Sequence, residues 1–301
     1  MTETKTVFGC LTYSTSMNLG DEIQSIAAIN QIEKLGYHIS YYIDRDTSDI
    51  IPIDPQGENG SEKITCIYNC WADGAYCKWP PADRIVPIFI SFHINEVSKD
   101  KTYTSLDKYL LNNPSSLADL KFNDYYKQFS PIYTRDIHTE KLLTQVDAKF
   151  LGCLTMTLES SYSDERTGTF LVDIDPKMYE YIPADLRKDS KRLTHISHTK
   201  DPTSKLEEAR TLLETYKRAK LVITSRLHCA LPCLAFRTPV IFMLSGWQTD
   251  PRFEGLSNLL TIFGRDEINW NNHTNKDNTV LASMVAQLNE KISELLLAQI
   301  N

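Results

Sequence analysis

The stretch Lys220–Leu244, KLVITSRLHCALPCLAFRTPVIFML, constrains the fold more than any other part of the chain. It reads as strand, tight turn, short buried helix, strand. Val222, Ile223 and Thr224 are β-branched and bring a strand to its end. Ser225 stands where an N-cap belongs, its hydroxyl able to accept from the unpaired amides of the next turn. Cys229–Phe236 is apolar on nearly every side, which predicts a buried rather than an amphipathic helix. Pro232 fits only in or near that helix's opening turn, where amides lack intrahelical partners. After Pro239, Val240–Leu244 is the kind of apolar run that a parallel sheet buries on both faces.

Into the turn between strand and helix the sequence puts Arg226 and His228. The carboxyl ends of parallel strands form the crevice where open α/β sheets bind ligands. A helix N-terminus there offers free amides and partial positive charge, a ready anion site. Arg226 adds a bidentate fork for carboxylate or phosphate, and His228 a group that titrates near neutrality. Taken singly, Arg226 reads equally well as the partner of a local acid, and His228 as a satisfied core histidine. Together in one strand-to-helix turn they favour a functional site.

The N-terminal half follows the same pattern. Thr6–Tyr13 is a strand, Asp21–Leu35 has helical spacing at Ile23, Ile26, Ala27, Ile29 and Ile32, and Gly36 ends that helix. His38–Ile43 completes a βαβ unit. Asp44–Ser61 reads as loop, Lys63–Asn69 and Ile85–Phe92 as strands, and His138–Val146 as a helix between the short apolar runs Pro131–Thr134 and Lys149–Leu151. From Gly168 the alternation restarts, with strands at Thr169–Asp173 and Arg192–Ile196, an amphipathic helix at Ser204–Ala219 and a long Leu-rich one at Val280–Ala298. This predicts an α/β protein of two Rossmann-like domains, 1–160 and 161–301, facing across a cleft and ending in an amphipathic helix.

Candidate residues stand at the strand ends. Asn18 and Asp21 follow the first strand, suited to sugar hydroxyls, although a turn and a first-turn acid are their plainer reading. Asn69 and His93 end the next strands, and a lone histidine there is more often structural. Arg135 with Asp136 reads either as a salt-bridged helix start or as an anion ligand. His195 and His198 share a strand end as cleft or structural residues, with no nearby Cys or Asp completing a metal set.

Composition removes several classes. A net charge of −7 and a pI near 5.6 leave no electrostatic footprint for nucleic acid, so an anionic substrate must be held by particular arginines. No apolar run approaches a membrane span, and the N-terminus lacks a basic-then-apolar signal, so a cytoplasmic protein is expected. The seven cysteines lie mostly in apolar runs, as buried reduced thiols do, and the spacing of Cys66, Cys70 and Cys77 matches no zinc pattern. No metal or cofactor is expected, and no GxSxG, P-loop or HExxH is present.

TSRLHCALPCLAF followed by TPVIF is similar to the C-terminal signature of the polysaccharide pyruvyl transferase family. NLGDEIQSIAA, RIVPIFISFHI, TRD and GCLTMTL resemble that family's earlier blocks, in its order, over residues 8 to 244, about four fifths of the chain. The arrangement of the two domains is then GT-B-like. The resemblance implies transfer of pyruvate from phosphoenolpyruvate, a co-substrate, to a sugar diol, giving a cyclic ketal and phosphate. It implies that Arg226 and Arg135 hold the donor's anions with Ser225 and amides around Leu227. His228 is the general acid/base, and Asn18, Asp21 and His93 orient or deprotonate a glycan acceptor, lipid-linked or free. Asn69 and His195 line the same cleft. One departure is Arg237, where a glycine is expected before Thr238-Pro239. The rival readings are a nucleotide-sugar glycosyltransferase, whose base and ribose pocket cannot be pointed to, and an inactive glycan-binding relative.

Overall fold

The computed structural model describes residues 6–49, 62–74, 76–95, 116–160, 165–276 and 279–300. The first part of the chain runs β1 (Val7–Thr12), α1 (Leu19–Lys34), β2 (Ile39–Asp44), β3 (Ile64–Tyr68), β4 (Trp71–Asp73), β5 (Ile85–Phe89), β6 (His93–Asn95), α2 (Asn123–Gln128), β7 (Ile132–Thr134), α3 (Ile137–Leu142) and β8 (Ala148–Phe150). The second runs β9 (Thr167–Val172), α4 (Ala184–Asp189), β10 (Lys191–Leu193), α5 (Pro202–Arg218), β11 (Ala219–Thr224), α6 (Leu227–Ala235), β12 (Val240–Phe242) and α7 (Thr279–Ile300). The fold is mixed α/β with parallel sheets. One four-stranded sheet has the order β2-β1-β3-β5 and the other β10-β9-β11-β12, while β4-β6 and β7-β8 form short parallel pairs.

The inner strands are the unbroken apolar runs. Every residue of β1, β3 and β12 is buried, because helices or loops cover both faces of a parallel sheet. The outer strands carry the polar residues: Tyr42 on β2 and Lys191 and Arg192 on β10 are exposed.

Helix α1 is the centre of the molecule. Asn18 caps it, its Oδ1 accepting from the Gly20 amide at 3.2 Å, and Gly36 (φ +83°) ends it. From Leu19 to Ile29 no residue is exposed, so this helix lies within the core. One apolar cluster joins Phe8 and Cys10 of β1 to Ile23 and Ile26 of α1, Leu213 and Tyr216 of α5, Leu231 of α6 and the Leu288, Ile292, Leu296 stripe of α7. Burying each such aliphatic side chain is worth about 1.5–3 kcal/mol. Among the described residues no helix is long and apolar enough to cross a membrane.

Polar ties cross beside this core. The Leu19 amide donates to His195 O and the Ser197 amide to Met17 O, both at 2.8 Å, making an antiparallel bridge of Asn18 with Ile196. Lys205 on α5 is buried, donates to Tyr13 O at 2.6 Å and to Ser16 O, and lies 3.4 Å from Glu22 Oε1. The segment 13–18 that opens α1 is therefore held by a residue far along the chain.

Several local expectations need correction. Helix α6 begins at Leu227 with Arg226 at the N-cap, and no side chain caps it. The Ser225 hydroxyl instead donates to Met243 O and accepts from the Asp175 amide at 2.7 Å, because strand ends β11 and β12 stand close enough for it to join them. Pro232 is within α6, so the His228 carbonyl has no amide to accept one turn on. The apolar run to Phe92 is no single strand: Ser91 (φ +56°) turns the chain between β5 and β6. Arg237 has φ +56°, and its amide donates to Leu234 O at 3.0 Å while that of Thr238 donates to Cys233 O at 2.8 Å. This is a Schellman exit, and the left-handed residue is an arginine where glycine is favoured. The loop after Asp49, as far as Ser61, lies outside the described residues, as do residues 161–164 beside the expected boundary.

Replacing Lys205 by Met leaves Glu22 buried without its partner and should cost about 3–5 kcal/mol in urea unfolding. Adding Glu22→Gln should recover a clear part of that loss, whereas equal stability of the single and double variants would deny the coupling.

Candidate active site

A cavity of about 650 Å³ opens at the carboxyl ends of β9 and β11, against the start of α1. Asn18, Asp21, Arg135, His195, Ser225, Arg226, Leu227 and His228 all line it. Residues far apart in sequence meet there because α1 and α6 pack together and the segment before α1 is zipped to the chain after β10. His93 and Asn69 are not in the wall. Asn69 is buried and donates to Gln24 O at 2.6 Å, and His93 is buried behind Arg135 and Asp136.

Arg135 follows β7, its amide bound to Phe92 O at 2.9 Å. The residue is only 1% exposed, with Nε 3.6 Å from Asp136 Oδ2. Nε and Nη2 are buried without a hydrogen-bond partner in the protein. Open donors on a buried cation are costly, and Arg135 stands in the lining of the cavity.

Asp136 fixes this group. It caps α3, its Oδ1 accepting from the Thr139 amide at 2.9 Å, while Oδ2 lies 2.6 Å from His93 Nδ1. Burial would raise its pKa, but His93, Arg135 and the Thr139 amide outweigh it and hold it at about 2. His93 is lowered to about 4, by burial first and then by Arg135, against the pull of Asp136. At neutral pH a neutral imidazole therefore donates from Nδ1 to a charged carboxylate.

His228 is in the first turn of α6, and its Cβ packs on Gly20: a Cβ built at Gly20 would lie 3.2 Å from it. Its Nε2 is buried with no partner. Burial, then the positive charge of Arg135, holds its pKa well below the ordinary value. The ring at the cavity wall is thus held in its neutral form.

Arg226 does pair with a local acid: its Nε lies 2.9 Å from Asp173 Oδ2. That bond uses Nε alone, and the side chain remains 38% exposed at the cavity. Asp173 (φ +45°) also accepts from the His195 amide at 2.9 Å. Burial would raise this carboxyl, but the His195 amide, the Thr194 hydroxyl and Arg226 together hold it below its usual value. His195 places Nε2 2.8 Å from the Tyr216 hydroxyl, while Asp21 accepts from Ser16 Oγ at 2.6 Å.

The cavity also contains groups that sequence reading missed. Asp173 ends a strand as Asn69 does, so the same rule could have found it. Arg252 lies in a short turn after β12, its Nε between both Asp250 oxygens at 2.9 and 3.1 Å, and no periodicity points to it. Trp71 and Ser16 complete the wall near Asp21.

A family model for polysaccharide pyruvyl transferases matches residues 18–245, which span every one of these lining groups except Ser16, Arg252 and Phe253. The chain belongs to the polysaccharide pyruvyl transferase family. No curated protein matches the sequence. Among solved structures, an uncharacterised protein from Klebsiella pneumoniae is 12% identical, covering 83% of this chain and 87% of its own at a TM-score of 0.43. The wall teichoic acid polymerase TagF is 10% identical over 97% of this chain and 83% of its own, TM-score 0.40. The glycosyltransferase TibC from enterotoxigenic E. coli is 11% identical over 98% and 77%, TM-score 0.32. Likenesses this loose carry no functional argument, and for this pyruvyl transferase family member the cavity itself must supply one.

The His93–Asp136 pair makes stability depend on pH. His93 binds its proton near 6.5 when unfolded but only near 4 when folded, so stability present above pH 6.5 is lost as pH falls toward 4. Asp136, at about 2 folded against 3.8 unfolded, extends the loss below pH 4. The melting temperature should drop by roughly 5 °C or more between pH 6.5 and 4.5, with a shallower slope in His93→Asn. An unchanged slope in that variant would remove His93 from the account.

Proposed function

We propose that this chain transfers pyruvate from phosphoenolpyruvate to two hydroxyls of a sugar in a glycan or polysaccharide precursor, forming a ketal and releasing phosphate. The observation that carries this reading is the buried Arg135 guanidinium, with Nε and Nη2 unpartnered, in one cavity with Arg226, Arg252 and a neutral His228. Phosphoenolpyruvate has a carboxylate and a phosphate, and forked guanidinium groups match both. The first turn of α6, with no side-chain cap, adds amides near Leu227. The acceptor lies toward Asn18 and Asp21, and the donor toward α6, with Arg135 reaching in from the 1–160 side.

In this scheme neutral His228 relays the proton of the first sugar hydroxyl to C3 of the enol phosphate, turning the methylene into a methyl. That oxygen attacks C2 as positive charge develops there. The second hydroxyl then adds to C2 and closes the ketal as the C2–O bond to phosphate breaks; its proton passes to the leaving oxygen, and the arginines stabilise the departing hydrogen phosphate dianion. No cofactor enters the scheme. Asp136 and His93 act behind Arg135 by holding its guanidinium.

The test is phosphate release from phosphoenolpyruvate across galactose-, mannose- and glucose-containing acceptors. Acceptor-dependent release should fall about 10²–10⁴-fold in His228→Ala, the range of a lost general acid/base. Arg135→Lys, which keeps charge but loses the fork, should lose most of kcat/KM as well. No release with any acceptor, together with a thermal shift from a nucleoside diphosphate, would instead make the chain a nucleotide-sugar glycosyltransferase.

A further inference from the structure

The cavity wall near Asp21 contains a group that donor binding does not use: an indole. Trp71 opens β4, is half-buried, and lines the cavity with Ser16, Asn18 and Asp21. Its backbone is fixed by the parallel pairing of β4 with β6, where Trp71 stands opposite His93. Its ring is fixed by Arg45, whose guanidinium carbon lies 5.5 Å from the indole centroid and 5.1 Å from that of Tyr13. Arg45 Nη1 also donates to Trp71 O at 2.9 Å. Arg45 is anchored in turn by Asp46, with Nε 2.7 Å from Oδ1. The indole is thus a rigid apolar surface set into a polar wall.

Such a surface has nothing to offer a phosphate or carboxylate. The C–H bonds along one face of a hexopyranose are different: they carry partial positive charge and dock on the electron-rich face of an aromatic ring. Few polar groups then suffice to orient the hydroxyls around the ring's edge. Such groups line the same cavity as Trp71. Asp21 can accept from sugar hydroxyls while Ser16 Oγ holds its Oδ2 at 2.6 Å, and Asn18, whose Oδ1 is engaged by the Gly20 amide, has its NH₂ to donate.

We propose that Trp71 is the platform of the acceptor subsite, on which a hexopyranose ring stacks while Asn18 and Asp21 bind its hydroxyls. The fate of those hydroxyls rests on the pyruvyl-transfer reading, but the sugar subsite stands on the wall itself. The selected ligand class is a pyranose with a continuous C–H face, and Trp71 is a specificity determinant rather than a catalytic residue.

The probes are methyl β-galactopyranoside, methyl α-mannopyranoside and methyl β-glucopyranoside, followed by saturation-transfer NMR and titration, with phosphoenolpyruvate titrated in parallel. Wild type should bind at least one glycoside through its C–H face. Trp71→Ala should weaken that binding about tenfold or more, and Trp71→Phe, which keeps a smaller ring, should weaken it less. Phosphoenolpyruvate affinity should stay within about twofold in both variants. Glycoside binding unchanged in Trp71→Ala, no glycoside bound by wild type, or equal loss of glycoside and phosphoenolpyruvate would each overturn the proposal. Glycoside binding that depends on Trp71, with no binding of phosphoenolpyruvate, would uphold the subsite and sink the pyruvyl reading alone.

Discussion

A buried guanidinium held by one shared carboxylate is the constraint on which this site depends. Arg135 is buried and shares its carboxylate, because Asp136 also serves His93 and the first turn of α3. In most proteins such an arrangement would be selected against, since an uncompensated buried charge costs several kcal/mol. It stands here at the wall of a cavity, and in the proposed reaction an anionic substrate supplies the missing half of the interaction. Burial first, and then the same positive charge, hold the His228 pKa well below its ordinary value, so this cation also bears on the protonation state of the neighbouring imidazole.

That arrangement requires the two parts of the chain to be held in register. Gly20 lies against His228, and a side chain there would press on the imidazole. The Asn18 to Ile196 bridge and the reach of Lys205 to Tyr13 and Ser16 set the opening of α1 against the second sheet. Helix α1, buried over almost its whole length, transmits this placement through the shared apolar core. The site is a property of the joint rather than of either sheet.

Much of this was legible in the residues. Unbroken β-branched and apolar runs are strands buried on both faces, so β1, β3, β11 and β12 could be read directly. The rule that ligands bind at carboxyl ends of parallel strands points to Asn18, Asp21, Arg226 and His228 from the sequence, and all four line the cavity. What could not be read was tertiary. Whether a strand-end residue faces the cavity or the core depends on a twist and a turn, and Ser91 at φ +56° swings His93 away from the wall. Ser225 looks like a cap by sequence, yet proximity of Met243 and Asp175 takes its hydroxyl elsewhere. Trp71 opens a strand of only three residues and Arg252 stands in a short turn, and neither segment is long enough for a period to be read. Arg237 shows the opposite case, a local mismatch with the left-handed exit of α6 that surrounding structure overrides.

The most direct measurement is calorimetric titration of phosphoenolpyruvate into wild type and Arg135→Gln at neutral pH, with circular dichroism confirming that both are folded. Losing a charged, bidentate contact predicts affinity weaker by about a hundredfold in the variant, since such bonds are worth on the order of 3 kcal/mol. Equal affinity in the two proteins, or no binding by wild type, would contradict the claim that Arg135 waits for the donor's anion.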